Sequence, residues 1–548
     1  MKSLGKRTGA AALVESLQKA GAEVVFGYPG GNVVDIFDHV RLAKFRFVLG
    51  RHEQGCVHMA DGYARATGRP GVVIVTSGPG ATNAITGLAT ANVDGVPLVL
   101  VSGQVPLSQI GTDAFQEADM TGICRAVTKH SFLVKSADEI PETVAQAFYI
   151  ATHGKPGAVV IDLPKNVQEE LTAAVYPERI SLRAYHPECA ATTSQVNRLA
   201  KLINESKRPV IYAGGGVIAA NASKDVAALA KKANIPVATT LMGIGSFDES
   251  DPLSLRMAGM YGSMAANAAI AEADLILALG VRFNDRIAGA GAKFAKRAKL
   301  VHVDCDPSSI DKNVPVDLGI VADIKDLLTV VNSRIRANRH DAWLERIAAW
   351  RRDRPFGYRQ LHRGVIMPQT VVESIDRATR GEAIVVADVG QHQMWCAQFF
   401  RHSRPRHFIS SGGMGTMGFA IPAAIGAAIA RPDHHVVAVV GDGGAQMTFE
   451  ELVVAIEEKL PIAIVVVNNG CLGMVRQIQR EDFGGRYSQV MLRRNGAYLP
   501  DFVKLAQAYG AKGVRVSSPG DLDSSITRAV RSGRTTLVEV IVEPEANV

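Results

Sequence analysis

The stretch that decides the fold is VVAVVGDGGAQMTFEELVVAIEEKLPIAIVVVNNG, residues 436–470. An apolar run at 436–440 stops at Gly441, Asp442 and Gly443, and a second at 462–467 stops at Asn468 and Asn469. Between them Leu452, Val453, Ile456 and Leu460 recur at the spacing of one helix face. Strand, helix, strand is a βαβ unit, whose crossover is right-handed and whose strands run parallel. Asp442 and Asn469 should therefore leave the same edge of one sheet. A carboxylate beside an amide oxygen offers hard oxygen ligands to a cation. Mg²⁺ suits such a partial shell, which phosphate oxygens of a ligand can complete. Gly441 and Gly443 let backbone approach that ligand closely. Either motif alone also describes an ordinary turn after a buried strand. Their joint position points to a site for a diphosphate and a metal.

Working outward, 548 residues exceed one core and imply about three domains. High apolar content, few aromatics and abundant glycine suit an α/β protein with buried strands and tight turns. The net charge of +7 is scattered and forms no basic run, so no nucleic-acid partner is expected. The six cysteines are far apart and make no CxxC, so neither a zinc site nor a disulfide framework is suggested, and the reducing cytoplasm fits best. Residues 1–9 lack the apolar core of a secretory signal. The longest apolar run, 419–430, contains Pro422 and Gly426 and is too short to span a bilayer, so no membrane partner is expected.

Strand and helix signals alternate in three segments, 1–170, 190–340 and 365–548, each expected to be a doubly wound parallel α/β sheet. Aperiodic stretches near 168–195 and a charged segment at 336–363 read as the connections. The first and third segments use the same strand–loop–helix units, so a related fold is expected for them.

Further motifs sit at strand ends. Glu53 follows a strand and opens a helix, where a carboxylate also simply suits the helix N-terminus. Gly390, Gln391 and His392 follow a strand at 383–387 and could receive a phosphate. Residues 413–418, GMGTMG, match G-x-G-x-x-G, and Asp442 could serve as the acid of a dinucleotide fingerprint, so a nicotinamide dehydrogenase competes. The Gly-Asp-Gly setting of Asp442 and the bulk of Met414 and Met417 oppose it. In the middle segment Gly214, Gly215 and Gly216, and the Asp304-Cys305-Asp306 turn, could lie against a nucleotide.

Together these motifs resemble the thiamine-diphosphate enzymes, and most closely the acetolactate (acetohydroxyacid) synthase catalytic subunits. The resemblance covers nearly the whole chain. It includes GYPGG at 27–31, RHEQG at 51–55, TSGPGATN at 76–83, IGTDAFQEAD at 110–119, GVRFNDR at 280–286, DVGQHQMW at 388–395 and NNGCLGMVRQ at 468–477. It implies that Asp442, Asn469 and the Cys471 carbonyl hold Mg²⁺, and that Gln391 and His392 contact the diphosphate of thiamine diphosphate. Gly441 and Gly443 would line that site. Met417 would wedge the cofactor into a bent shape, and the Gly415 carbonyl would accept from its amino group. Glu53 would come from the facing subunit and bond a pyrimidine nitrogen, so that a homodimer or homotetramer builds the active site. Gly31, Phe115, Gln116 and Lys165 would line the pocket for small 2-keto acids, and Arg286 would bind the acceptor's carboxylate. FAD, in a structural role, would lie near Gly214, Gly215, Gly216, Thr240, Leu241, Met260, Gly262, Arg282, Asp304 and Asp323. A separate regulatory small subunit is a further partner that the resemblance admits.

The activity so implied is condensation of two pyruvates to 2-acetolactate with loss of CO₂, as in branched-chain amino-acid biosynthesis. Three departures bear on it. Ile478 stands where the family usually carries a Trp that shapes the acceptor pocket, which puts acceptor preference in question. Asn32 replaces a small residue near the same pocket. The chain ends at Val548, short of the tail that closes over the site in typical members, which favours simple decarboxylation. The alternatives are a 2-keto acid decarboxylase, a carboligase with an aldehyde acceptor, a flavin-dependent oxidase and a silent regulatory paralogue. Intact Glu53, Asp442 and Asn469 oppose the last.

Overall fold

The computed structural model describes residues 6–180, 182–288, 294–493 and 500–548. Residues 1–5, part of the segment read for a signal peptide, lie outside them. Three sheets of six strands carry the fold, and every pairing within them is parallel. The N-terminal sheet runs Arg46–Leu49, Val24–Tyr28, Gly71–Val75, Leu98–Gln104, Ala158–Pro164, His130–Leu133. The C-terminal sheet runs Phe408–Ser410, Ile384–Ala387, Val436–Gly441, Ile462–Asn468, Thr536–Ile541, Lys512–Val516. Numbered in chain order within each sheet, both read 2-1-3-4-6-5, which meets the expectation of a related fold. The middle sheet instead reads 3-2-1-4-5-6, from Ser254–Met257 to Leu318–Val321, the order of dinucleotide-binding domains.

The central strands are continuous apolar runs because helices cover both faces of each sheet. Val436–Gly441, Ile462–Asn468 and Leu98–Gln104 are buried at every position. The crossover expected as one helix at 449–460 is a 3-10 turn, Phe449–Glu451, followed by the helix Leu452–Glu457. That tighter entry carries Glu451 inward. In the middle unit the helix Thr193–Glu205 opens with a reciprocal Thr192–Gln195 capping box. The later helix Asp341–Asp353 seats on the same sheet, where Trp343 Nε1 donates to the Pro209 carbonyl at 3.1 Å.

The N- and C-terminal sheets share one hydrophobic core. It runs from Phe26, Val73 and Leu100 through Met59 and Phe419 to Val386, Val440 and Ile464. Two helices fill the gap between the sheets, Glu53–Thr67 and Ala420–Ala430. The second is buried on all sides from Ala420 to Ala428, and Pro422 sits in its first turn, where its missing N–H costs nothing. The helices approach at Gly62 and Gly426. A Cβ on Gly426 would overlap the Met59 carbonyl, and one on Gly62 would overlap the Ala423 carbonyl.

Gly426→Ala should therefore force the helices apart. Overpacking of this kind costs about 1–3 kcal/mol. Calorimetry should show the melting temperature fall by several degrees, roughly 2–4 °C per kcal/mol. Gly357→Ala, which faces open space, is the control and should leave it unchanged.

Candidate active site

The Asp442 and Asn469 loops do leave one sheet edge together. Gly441 pairs with Val467, so Asp442 comes level with Asn468 and next to Asn469. The strand Ile384–Ala387 lies on the other side of Val436–Gly441 and leads through Gly390 into the helix Gln391–Phe399, whose first turn carries Gln391 and His392. Strand order reverses between these two strands, and in open α/β sheets ligands bind at such a switch point.

The loops interlock. The His392 ring packs on the bare Cα atoms of Gly390 and Gly441, where an added Cβ would lie 2.8 Å from Cε1 at either position. Asn469 Nδ2 donates to Gln391 Oε1 at 3.4 Å, and Asn469 Oδ1 accepts from the Cys471 N–H at 3.2 Å. Gln391 Nε2 donates to Gln477 Oε1 at 2.9 Å and to the Ala546 carbonyl at 3.1 Å. Met417 reaches the same place, with Cε 3.3 Å from a Cβ built on Gly443.

Electrostatics marks this set. Burial pushes the Asp442 carboxyl up to about 7, against backbone N–H groups that include those of Gly470 and Gly443. Burial also lowers His392 to about 3, so its ring is neutral, and its Nε2 is buried without a partner. The Cys471 thiol is pushed up to about 11, chiefly by burial, which leaves the carbonyl as its hard donor. Among the described residues no group of three or more His, Cys, Asp or Glu side chains could hold a metal. One carboxylate, one amide oxygen and one carbonyl form a different kind of set. It fits a cation whose shell a bound diphosphate completes, and the orphaned His392 nitrogen fits an anionic oxygen.

The N-terminal residues gather elsewhere. Glu53 is the first residue of its helix, and Asn83 Nδ2 donates to its Oε2 at 3.0 Å. Among the described residues no hydrogen bond or ion pair joins Glu53 to Asp442, Asn469 or Met417. Gly31 opens a 3-10 turn with no atom near its Cα face. Phe115 is 88% exposed, and Gln116 holds a left-handed φ of 62° against Gly78. Lys165 is paired, with Nζ 2.7 Å from Asp35 and 3.2 Å from Glu169, and the Asp35 bond raises its pKa. Asn32 stitches the neighbouring loop, donating from Nδ2 to Ser77 Oγ at 2.6 Å.

In the middle unit Gly214 and Gly216 pack directly on Gly280, at that sheet's own switch point. Thr240 caps the turn Leu241–Gly243. Gly262 closes a turn on Gly259, and Met260 beside it is exposed. Burial pushes Asp304 up to about 6. Asp323 caps the helix Ile324–Arg334, accepting from the Asp326 N–H at 3.0 Å, a purely local task. Arg282 Nη1 donates to the Val93 carbonyl of the N-terminal unit. Arg286 is exposed, and its carbonyl accepts from the Met260 N–H at 3.1 Å. Next to Met260, the Tyr261 hydroxyl reaches Met474 Sδ at 3.4 Å. Met474 lies one turn before Ile478 on the helix Gly473–Asp482, so Arg286 and Ile478 border one region.

Three thiamine pyrophosphate enzyme family models match the chain: the N-terminal TPP binding domain over residues 7–123, the central domain over 196–331 and the C-terminal TPP binding domain over 388–540. Acetolactate synthase large subunits match along its length. That of Haemophilus influenzae is 44% identical over 99% of this chain and 96% of its own. The isozyme 3 large subunit of Escherichia coli gives the same figures, 44%, 99% and 96%. A probable large subunit of Methanocaldococcus jannaschii is 43% identical over 98% of this chain and 92% of its own. The chain belongs to the acetolactate synthase large-subunit family of thiamine pyrophosphate enzymes. Its C-terminal match begins at Asp388 and includes Gln391, His392, Met417, Asp442, Asn469 and Cys471.

One residue of this synthase-family site had no local signal in the sequence. Glu451 is fully buried, and its carboxylate accepts from the N–H groups of Arg51 at 3.0 Å and His52 at 2.9 Å, directly before Glu53. Burial pushes it from the usual 4.5 up to about 8. The folded chain thus holds this proton more tightly than the unfolded chain. Stability from this group is greatest below about 4.5 and falls as the pH rises to about 8. Asp442 contributes with the same sign. Glu451→Gln should therefore make the loss of melting temperature between about pH 5 and pH 8 shallower by a few degrees without abolishing it. An unchanged slope would show that the proton is not held there.

Proposed function

We propose that this chain is the catalytic subunit of an acetolactate synthase, joining two pyruvates into 2-acetolactate with release of CO₂ for branched-chain amino-acid biosynthesis. The observation that carries the proposal is the buried set of Asp442, Asn469, Gln391 and His392 at the switch point of the C-terminal sheet, in a chain of this family. Thiamine diphosphate, when bound, supplies the nucleophilic carbon and the ring that takes up the electrons left as CO₂ departs.

The chain's own residues bind, orient and move protons. Asp442, Asn469 and the Cys471 carbonyl would hold Mg²⁺, which relieves the cost of burying the Asp442 charge. His392, as the tautomer with its proton on Nε2, would donate to a diphosphate oxygen. Gln391 would reach the same group, and Gly441 and Gly443 would leave room for it. Met417 would pack against the cofactor, and the Gly415 carbonyl would accept from its amino group. Glu53 of a second copy would hold or give up a proton at a pyrimidine nitrogen. The exposed ring of Phe115 suits a wall covered only on assembly, with Gly31, Gln116 and Lys165 beside it. Arg286 binds the acceptor's carboxylate through a planar, two-pronged pair.

The middle unit would hold FAD, in a structural role, across the Gly214–Gly216 and Asp304 loops; its dinucleotide-type strand order supports the binding. The domain roles are pyrimidine binding for 1–170, flavin binding for 190–340 and diphosphate binding for 365–548. Named relatives are large subunits, which supports a regulatory small subunit as partner. The cytoplasm is the proposed compartment. Among the described residues no helix is long and apolar enough to cross a membrane.

A decarboxylase is the second reading, because Ile478 is 41% exposed and gives the acceptor no flat wall. Product analysis with pyruvate, thiamine diphosphate and Mg²⁺ separates the two. Acetolactate should dominate, whereas acetaldehyde as the main product would overturn the synthase. Asp442→Asn should raise the Mg²⁺ needed for half-activation by roughly tenfold or more. Ile478→Trp should shift acceptor choice toward 2-ketobutyrate by about tenfold, read from the product ratio in mixed substrate.

A further inference from the structure

We propose that Asp94 and Asp388 are positioning residues that clamp the two ends of the segment 411–418 and so set how Gly415 and Met417 meet the pyrimidine half of thiamine diphosphate. The proposal rests on the reading of Gly415 and Met417 given above.

At the near end, the Asp94 carboxylate crosses from the N-terminal unit and takes two successive backbone N–H groups. Gly412 donates to Oδ2 at 3.0 Å and Gly413 to Oδ1 at 2.8 Å. Thr90 lies one turn earlier on the same helix, Ile85–Asp94, and its Oγ1 is 2.7 Å from Thr416 Oγ1. The Asp94 side chain has no exposed surface. Its charge is balanced by Arg65 at 3.0 Å and by Arg282 of the middle unit at 3.6 Å. Three domains therefore meet at one carboxylate.

At the far end, the fully buried Asp388 takes the Gly418 N–H on both oxygens, at 3.0 and 3.1 Å, and the Val389 N–H at 2.7 Å. Burial pushes its carboxyl up to about 7, against the N–H groups of Val389, Gly418, Ala420 and Phe419, which places it at the start of the buried helix Ala420–Ala430. A Cβ on Gly444 would lie 2.9 Å from its Oδ2, which packs the Asp442 turn against the same group. Within the segment the Thr416 N–H donates to Ser411 Oγ at 3.0 Å. The ends are pinned, while Gly415 keeps a left-handed φ of 65° and Met414 is exposed. A segment so held presents one carbonyl and one thioether in a fixed orientation, which is what a cofactor held bent requires.

An amide in place of either carboxylate turns one acceptor into a donor that faces backbone N–H groups. The segment should then lose its orientation. The Asp94 helix carries none of the diphosphate-binding turns, so Asp94→Asn leaves them in place, whereas Asp388 leads directly into the Gln391–His392 turn and packs on the Asp442 turn, so its replacement reaches both. The test is calorimetric titration of the purified full chain with two probes, thiamine diphosphate with Mg²⁺ and inorganic pyrophosphate with Mg²⁺. Asp94→Asn should weaken thiamine diphosphate by about tenfold or more and change pyrophosphate by less than about threefold, whereas Asp388→Asn should weaken both, thiamine diphosphate by more than pyrophosphate. Thr90→Val keeps the shape of a buried side chain and tests the clamp if the Asn variants do not fold. It should weaken thiamine diphosphate by about threefold and leave pyrophosphate unchanged. Equal losses for both probes would mean a merely structural role and overturn the clamp, as would unchanged thiamine diphosphate binding. Failure of the unaltered chain to bind thiamine diphosphate would instead overturn the functional reading, and the clamp with it.

Discussion

The contact on which the rest of the structure depends is the crossing of the helices Glu53–Thr67 and Ala420–Ala430 at Gly62 and Gly426. Two glycines let backbone touch backbone, and each helix then buries a face against its own sheet. Fully buried side chains such as Met59, Phe419 and Ile425 contribute roughly 1.5–3 kcal/mol each relative to exposure, so the shared core is a large part of what holds the two units together. The same crossing fixes what the helix ends carry. Glu53 starts one helix, and the segment 411–418 runs into the other.

Around that crossing the polar interior is built from carboxylates that take backbone N–H groups from distant segments. Glu451 holds the peptide before Glu53, Asp388 holds Gly418, and Asp94 holds Gly412 and Gly413. A buried carboxylate is costly unless several donors satisfy it, and each of these has at least two. Asp442 is buried as well, yet its chemistry points outward, to a cation and a diphosphate that would complete it. This division separates groups that hold the site from groups that use it.

Much of this was legible in the chain. Apolar runs ended by Gly-Asp-Gly and Asn-Asn gave two parallel strands and the meeting of their loops, because strand burial and the handedness of a βαβ unit are local rules. The kinship of the first and third sheets followed from their repeated units. Glu451, Asp388 and Asp94 were not legible as a set, because each bonds a segment far away in sequence; Asp388 opens the DVGQHQMW motif, yet nothing in that motif points to Gly418. Glu451 reads locally as one more acid on a solvated helix. Asp323, which the family resemblance places near a flavin, also caps its own helix, a role that its sequence neighbours do not announce. Lys165 reads as suited to an anionic substrate, and its pairing with Asp35 and Glu169 was not legible beside that reading.

The central claim is that one chain supplies the Asp442 set and a second supplies Glu53. It is tested most directly by mixing two variants, Glu53→Gln and Asp442→Asn, after dissociation and reassociation, at an Mg²⁺ concentration that saturates the unaltered chain and is too low to activate Asp442→Asn. Random pairing into two-fold dimers gives half mixed dimers, each with one intact site of two, so about a quarter of the unaltered activity should return. Mixed dimers that form, as read by capture through a tag on one variant, yet show no activity above that of the two parents would contradict it.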